Sequence, residues 1–343
     1  MTEAAVRAAF RSQARACGRL GSPLMERLLN GLAESLSPGT AVADRVLAWQ
    51  GEPGPAGDAV ALRLAGGLHA LILTGEDAGL AAAYATDDPV PAVMEALVRH
   101  EAHLLRWLDQ PPQTNEVRRS APLMAAAHVI AARFGRPLVL SELGCSGGLN
   151  LMWDRCRLDL PDGPRGEGPI RLQPDWQRGL PPAAPFVIAG RAGVDLNPLD
   201  PVKDRLRLLA YLWPDQPDRL NRTRAALDEA ARLRLSLVRG DAAEWLERRL
   251  AVQMPGKVHV VFHTVAWQYF PPETQLRCRA ALEAAGARAS EDAPLAHLSM
   301  EADGRADGAA LRLQLWPGAG EMTLGRACFH GRWVRWGDEG AQG

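Results

Sequence analysis

The sequence predicts a mixed α/β fold: a mostly parallel sheet with a terminal antiparallel hairpin, preceded by a helical N-terminal domain. Three observations carry that expectation. The apolar run Pro137-Leu-Val-Leu140 is of the kind that fills a central parallel strand, and it breaks at Glu142 into a turn holding Gly144, Gly147 and Gly148. Three further apolar runs follow, ending near Asp195, Asp241 and His263, with helical patterns between them. Ahead of them all, residues 1–112 are dominated by apolar residues at helical spacing.

In chain order, Ala4–Leu20, Leu24–Leu36 and Pro91–Leu108 read as helices, with Ser22-Pro23 as a helix start and Pro111-Pro112 as a stop. Leu62–Leu73 is ambiguous between helix and strand because Gly66-Gly67 interrupts it. His100-Glu-Ala-His103 lacks the four-residue histidine spacing of a zincin and has no third ligand nearby, so it reads as a solvated helix face and no metal is expected. Thr114 or Asn115 is placed to cap a helix running through Arg118 to Phe134, kinked or restarted at Pro122. Its early face, with Asn115, Arg118 and Arg119, lies near the entrance to the glycine-rich crevice. The second domain is expected over residues 113–343.

Leu149–Trp153 can continue the glycine loop as a helix whose first amides point above the strand. The Pro-, Gly- and Arg-rich stretch at about 154–185 reads as an inserted hairpin. Its two short antiparallel strands begin at Cys156 and Ile170, and Trp176 is its anchor. Phe186–Pro198 is a strand ending in Gly193-Val-Asp195. Asp195 either meets a ligand at the strand tip or caps the next helix. Asp204–Trp213 and Pro217–Leu233 are helices. Leu235–Ala242 is a third strand closing on Asp241, again a ligand contact or a cap, before the helix Glu244–Leu250.

Val258–Phe262 is the fourth strand. It delivers His263, Thr264, Trp267, Gln268, Tyr269 and Phe270 to the same edge, more polar and aromatic groups than a simple turn needs. A helix from Pro271 to Ala287 and a fifth strand, Ala293–Met300, ending at Glu301, come next. Leu311–Leu315 and Ala327–Trp336 are the last two strands, and Pro317–Gly320 suits the turn of the terminal hairpin.

The segment Glu142-x-Gly144-x-Ser146-x-Gly148 departs from the G-x-G-x-x-G spacing of a dinucleotide site. It resembles motif I of the class I S-adenosylmethionine-dependent methyltransferases, with Ser146 in place of a middle glycine. GVDLNP resembles their motif II, and Asp241-Ala242 stands where the family binds adenine. Through QTNEVRRSA, LSELGCSGGLNL, GVDLNP and FHTVAWQY the chain also resembles, over nearly its full length, the bacterial family catalogued as domain of unknown function 2332. The resemblance implies a Rossmann-like methyltransferase sheet and S-adenosylmethionine as cofactor. Gly144, Ser146 and Gly148 would cradle its methionine portion, Glu142 its ammonium, Asp195 its ribose, and Asp241 with Ala242 its adenine.

Methyl transfer from a sulfonium is an in-line displacement in which positioning supplies most of the rate. His263 is the candidate base, since it titrates near neutrality, although a buried histidine satisfied by a backbone partner is equally compatible. Tyr269 is the second catalytic candidate. Asn115, Arg118, Thr264, Trp267 and Gln268 are candidates for the acceptor site, with the helical region and the hairpin expected to close over it. The alternatives are non-methyl chemistry on the same fold, an elimination or cyclisation using His263, Glu301 and the arginines, or a non-catalytic binding subunit.

The composition narrows the partners. With 39 basic and 40 acidic residues in 343, the chain carries no excess charge to attract nucleic acid. No stretch is long and apolar enough for a bilayer, and the N-terminus lacks a signal-peptide core, so a cytoplasmic protein with a small-molecule substrate is expected. The 5 cysteines are odd in number and scattered, as reduced thiols rather than a disulfide framework.

Overall fold

The computed structural model describes residues 2–318 and 320–337, arranged as two compact units. One holds the residues up to Thr114 together with Lys203–Arg224; the other holds Asn115–Val202 and the residues from Ala225 on.

The first unit is helical. It comprises α1 (Glu3–Arg19), α2 (Pro23–Ser35), α3 (Ala41–Leu47), α4 (Val60–Thr74), α5 (Ala78–Ala83), α6 (Val90–Arg99) and α7 (Glu101–Leu108). After α8 (Ser120–Phe134), which belongs to the second unit, α9 (Arg205–Ala210) returns to the first. Side-chain caps set the starts: Thr2 for α1, Ser22 with Pro23 behind it for α2, Thr40 for α3 and Asp77 for α5. The ambiguous segment is helical, and its glycines serve close approach. A Cβ on Gly66 would lie 2.5 Å from the Tyr211 ring, and one on Gly67 would lie 3.0 Å from Leu104 and Trp107. The histidine pair is not a solvated face. His100 Nε2 bonds Asp77 Oδ2 at 2.9 Å, and His103 Nε2 bonds the Gly67 carbonyl at 3.0 Å, so both rings tie helices together.

The second unit is mixed α/β around a large, mostly parallel central sheet. Its strands are β1 (Leu138–Leu143), β2 (Cys156–Leu160), β3 (Gly163–Arg165), β4 (Ile170–Leu172), β5 (Asp175–Gln177) and β6 (Ile188–Asp195). They continue with β7 (Ser236–Arg239), β8 (Val258–Thr264), β9 (Leu295–Glu301), β10 (Ala309–Trp316), β11 (Met322–Ala327) and β12 (Trp333–Trp336). Among the described residues nine strands form one sheet, in the order β5-β12-β11-β10-β9-β8-β1-β6-β7. From β7 to β9 every neighbour is parallel, and β10, β11 and β12 then fold back as an antiparallel meander. The helix α10 (Pro217–Leu233) leads into β7, and α11 (Ala242–Leu250) and α12 (Pro272–Gly286) pack against each other beside the sheet. β1 and β8 are buried along their whole length, which is why both read as continuous apolar runs.

Four expectations are corrected. First, the segment after the glycine loop forms two 3-10 turns, Leu149–Leu151 and Trp153–Arg155, because Met152 between them is non-helical and the side chains of Leu149, Asn150, Leu151 and Trp153 are drawn into the interior. Second, α8 starts at Ser120 after a 3-10 turn at Val117–Arg119, because Asn115 spends its oxygen on Leu149 N (2.8 Å) and leaves no side-chain cap. Third, β2 and β4 run parallel. The antiparallel partner of β2 is β3, and the insertion continues to β5, which pairs with β12 at the sheet edge, where the Trp176 and Trp336 rings lie 5.6 Å apart. Fourth, among the described residues three strands rather than two follow β9, because Cys328–Arg332 turns between β11 and β12. The Pro317–Gly320 turn includes Ala319, which lies outside the described residues.

Candidate functional site

The parallel strands change direction of travel across the sheet at β1, with β6 on one side and β8 on the other. In open α/β sheets, ligands bind beyond the carboxyl ends of the strands at such a switch point. Glu142 (β1), Asp195 (β6), His263 and Thr264 (β8) and Glu301 (β9) all stand at these ends.

The glycine loop is held by its neighbours. Gly144 and Cys145 donate their amides to the Val194 carbonyl, Gly148 to Cys145, and Ser146 to Asp195 Oδ2 at 2.8 Å. Gly144, Ser146 and Gly148 have φ of 71°, 50° and 69°, the left-handed region that favours glycine, so Ser146 is strained. Space is equally tight: a Cβ on Gly148 would lie 2.7 Å from Leu237, and one on Gly144 would lie 2.7 Å from Ala266. Asp195 Oδ1 accepts from Asn197 N at 2.8 Å, so this carboxylate fastens the loop and its own turn together.

Glu142 is 2% exposed. Asn150 stands close enough to favour its charged form, Ser120 Oγ donates to Asn150 Oδ1 at 2.8 Å, and Glu142 Oε2 has no hydrogen-bond partner among the described residues. Burial, and then the charge of Asp195, push the Glu142 carboxyl well above the usual carboxylate range, against the opposing pull of Arg119 and Asn150. An unsatisfied buried carboxyl oxygen costs stability unless something answers it. Arg119 itself reaches the Phe329 and Thr264 carbonyls at 2.7 and 3.2 Å.

On the other side of β1, His263 Nδ1 donates to Glu301 Oε1 at 2.7 Å, and the amides of Ala266 and Trp267 donate to the same oxygen at 3.0 and 3.2 Å. With Nδ1 donating to Glu301, His263 Nε2 accepts from His297 Nε2 at 3.1 Å. Burial, followed by the neighbouring His263, pushes His297 down to about 3, which keeps it neutral. Trp267 stacks on His263 at 4.7 Å, and the Arg279 guanidinium lies over the Trp267 ring at 5.4 Å. Glu301 Oε2 is buried and has no partner among the described residues.

The sequence-predicted residues therefore fall into three groups. Glu142, Gly144, Ser146, Gly148 and Asp195 come together at β1 and β6, with Asn115 bonded to Leu149 just beyond the loop and Arg118 in the adjoining 3-10 turn. His263, Thr264 and Trp267 gather at β8 and β9, but both ring nitrogens of His263 are engaged, while Gln268 and Tyr269 face solvent, Tyr269 at 72% exposure. Asp241 is the N-cap of α11: Oδ1 accepts from Ala243 N and Glu244 N, and Oδ2 from Thr274 Oγ1, with Ala242 the first helical residue. These bonds outweigh the effect of burial and hold its carboxyl below the ordinary range.

Sequence reasoning missed Asn150, Ser120 and His297. A signal existed for His297: along β9 it alternates with Ser299 and Glu301, and Ser299 is the register partner of His263. Asn150 and Ser120 meet across 30 residues, a contact that only the fold creates.

Among the described residues no group of His, Cys, Asp and Glu has the arrangement of a metal site, and no helix is long and apolar enough to cross a membrane. No curated protein matches the chain. The profile of the family described as an uncharacterized protein conserved in bacteria (DUF2332) matches residues 7–336, and the chain belongs to that family.

Proposed function

We propose that this protein binds S-adenosylmethionine over β1 and β6 and transfers its methyl group to a small molecule. The observation that carries the reading is Glu142 Oε2, a buried and unpartnered carboxyl oxygen at the switch point, beside Asp195 and above a left-handed glycine loop. It fits the ammonium of the methionine portion, and Asp195, already fixed by two amides, retains acceptor capacity for ribose hydroxyls. At the adenine end the fit is poorer, because both oxygens of Asp241 serve the cap and Thr274.

The bound sulfonium supplies an electrophilic methyl. The chain's own part is to orient: Asp195 fixes the loop, and Glu301 fixes the His263 ring. His263 takes up a proton at Nε2 only in exchange for the His297 hydrogen bond, so acceptors that lose a proton require that bond to open.

Titration calorimetry with S-adenosylmethionine and S-adenosylhomocysteine tests the cofactor. Wild-type protein is expected to bind, and Glu142→Gln to bind roughly 10- to 100-fold more weakly, the worth of one charge-assisted hydrogen bond. Since burial favours the protonated carboxyl, capture of the ammonium releases a proton. The measured heat then varies with the ionisation enthalpy of the buffer, and affinity rises with pH. Absence of heat from folded, ligand-free protein would remove the proposal.

One observation favours a second reading, non-methyl chemistry by the His263–Glu301 pair. The amides of Gly144, Cys145, Ser146, Gly148 and Leu149 are all bonded within the protein, leaving few loop donors for a ligand. Failure of both sulfur ligands to bind leaves that reading in front.

A further inference from the structure

A cavity of about 320 Å³ lies between α8 and the β2–β3 hairpin, walled by residues of the second unit alone. Its floor is Met124, His128, Trp153 and Cys156, all buried, and its mouth is formed by exposed residues including Pro164 and Ala183. That volume is on the order of ten water molecules, near the lower end of small-ligand pockets. It shares no residue with the glycine loop or with the His263–Glu301 pair.

Three residues that line this cavity, from three different elements, each carry a buried polar atom with no partner among the described residues. His128, on α8, is 5% exposed; its Nδ1 donates to the Ala184 carbonyl at 2.5 Å, so its Nε2 is an acceptor, and that nitrogen is unpartnered. Trp153, 0% exposed, has an unpartnered Nε1–H donor. Arg165, on β3, sends one terminal nitrogen to the Gly163 carbonyl and the other to Asp162, leaving Nε–H without a partner. Burial lowers the His128 pKa, with Arg165 adding to the effect, which keeps the acceptor nitrogen unprotonated. The remaining polar wall is already satisfied: Asp154 is gripped by Arg191 through two bonds of 2.8 and 2.9 Å, and the Cys156 thiol donates to the Met152 carbonyl.

Buried polar groups in native proteins are almost always answered, so three unanswered ones at one cavity call for an occupant. Two of them donate, one of these from a guanidinium that Asp162 already pairs, and one accepts. The apolar surface of Met124, Trp153 and Phe186 takes the rest of the ligand, with the His128 and Phe186 rings edge to face at 5.1 Å.

We propose that this cavity is a second small-molecule site, for a compact apolar carboxylate that also carries a hydroxyl. The carboxylate meets Trp153 and Arg165, and the hydroxyl donates to His128.

The probe is 4-hydroxyphenylacetate, added to the full chain and followed through the indole N–H resonance of Trp153, assigned with Trp153→Phe, and by calorimetry. A ligand of this size is expected to bind with a Kd of about millimolar or tighter. The uncharged 4-hydroxyphenylacetamide, and phenylacetate, which lacks the hydroxyl, are each expected to bind at least about tenfold more weakly. Ala183→Trp, which fills the mouth from an exposed position, is expected to abolish binding, and Arg165→Gln to weaken it about tenfold while leaving the floor intact. Glu142→Gln is expected to leave it unchanged. No shift of the Trp153 resonance at millimolar probe, or binding that is indifferent to both Ala183→Trp and Arg165→Gln, would overturn the proposal.

Discussion

Lowering the pH from 7 to 5 is expected to cost the fold about 4 kcal/mol through His259 and His297 alone, about 2 kcal/mol for each. Both rings are held neutral, pushed down to about 3, His259 by burial and the nearby Arg249, His297 by burial and His263. In the unfolded chain each ionises near its ordinary value. The unfolded state therefore binds the extra proton first as pH falls below about 6.5, and stability present at neutral pH is lost towards the folded value. The bonding explains why neither ring accepts the proton readily. Arg249 Nε donates to Ser141 Oγ, whose own hydrogen goes to His259 Nε2 at 2.7 Å, so a proton on that nitrogen would oppose Ser141 and face a guanidinium.

His69, His103 and His128 are lowered as well, chiefly by burial, and add in the same sense. Glu142 works against them. Its raised pKa gives stability that is complete below the unfolded carboxyl value and is lost as pH rises. Urea unfolding at pH 7, 6 and 5 measures the sum. His259→Gln is expected to be less stable at pH 7 yet to have a flatter profile below 6.5, by about one histidine's share. An unchanged slope in that variant would show that His259 is not held neutral.

Asp195→Ala is expected to cost about 2–4 kcal/mol and, under the proposed function, to abolish the proposed S-adenosylmethionine binding as well. The carboxylate takes two backbone amides, Ser146 and Asn197, each at 2.8 Å, and hydrogen bonds to a charged group contribute about 1.5–3 kcal/mol apiece. Without it the Ser146 amide loses its partner while that residue stays at φ 50°, so the loop relaxes away from its left-handed path. Part of the loss is returned, because the Asp195 charge repels ionisation of Glu142. The double variant with Glu142→Gln should accordingly depart from additivity. Asp195→Asn keeps one acceptor oxygen and is expected to lose about half as much stability. Unfolding free energies and hydrogen exchange at Ser146 decide the matter; a change within about 0.5 kcal/mol with unaltered exchange would mean that the carboxylate does not hold the loop.

The places of the site residues were legible in the sequence. The buried strands β1 and β8 are continuous apolar runs whose ends are marked by the change to polar residues, and β6 is apolar in its last buried residues before Asp195, so Glu142, Asp195 and His263 could be set at strand tips from pattern alone. Helical spacing and caps likewise gave α1, α2 and α10 nearly to the residue. These are local properties, fixed by backbone geometry within a few neighbours.

What each polar group does there was decided by partners remote in sequence. Asp241 is a cap braced by Thr274, 33 residues on, and His263 is clamped between His297 and Glu301, which lie on the next strand. The parallel pairing of β2 with β4, and the use of β5 to extend the main sheet, depend on which edges lie free after folding. The cavity under His128 and Trp153 exists only because α8 and the inserted hairpin face each other across residues 124–186. Sequence determined which groups arrive at the sheet's edge, because strand and helix periodicity are local; tertiary structure decided which arrive already bonded and which, like Glu142 Oε2, arrive with bonding capacity unspent, because hydrogen-bond partners are set by packing.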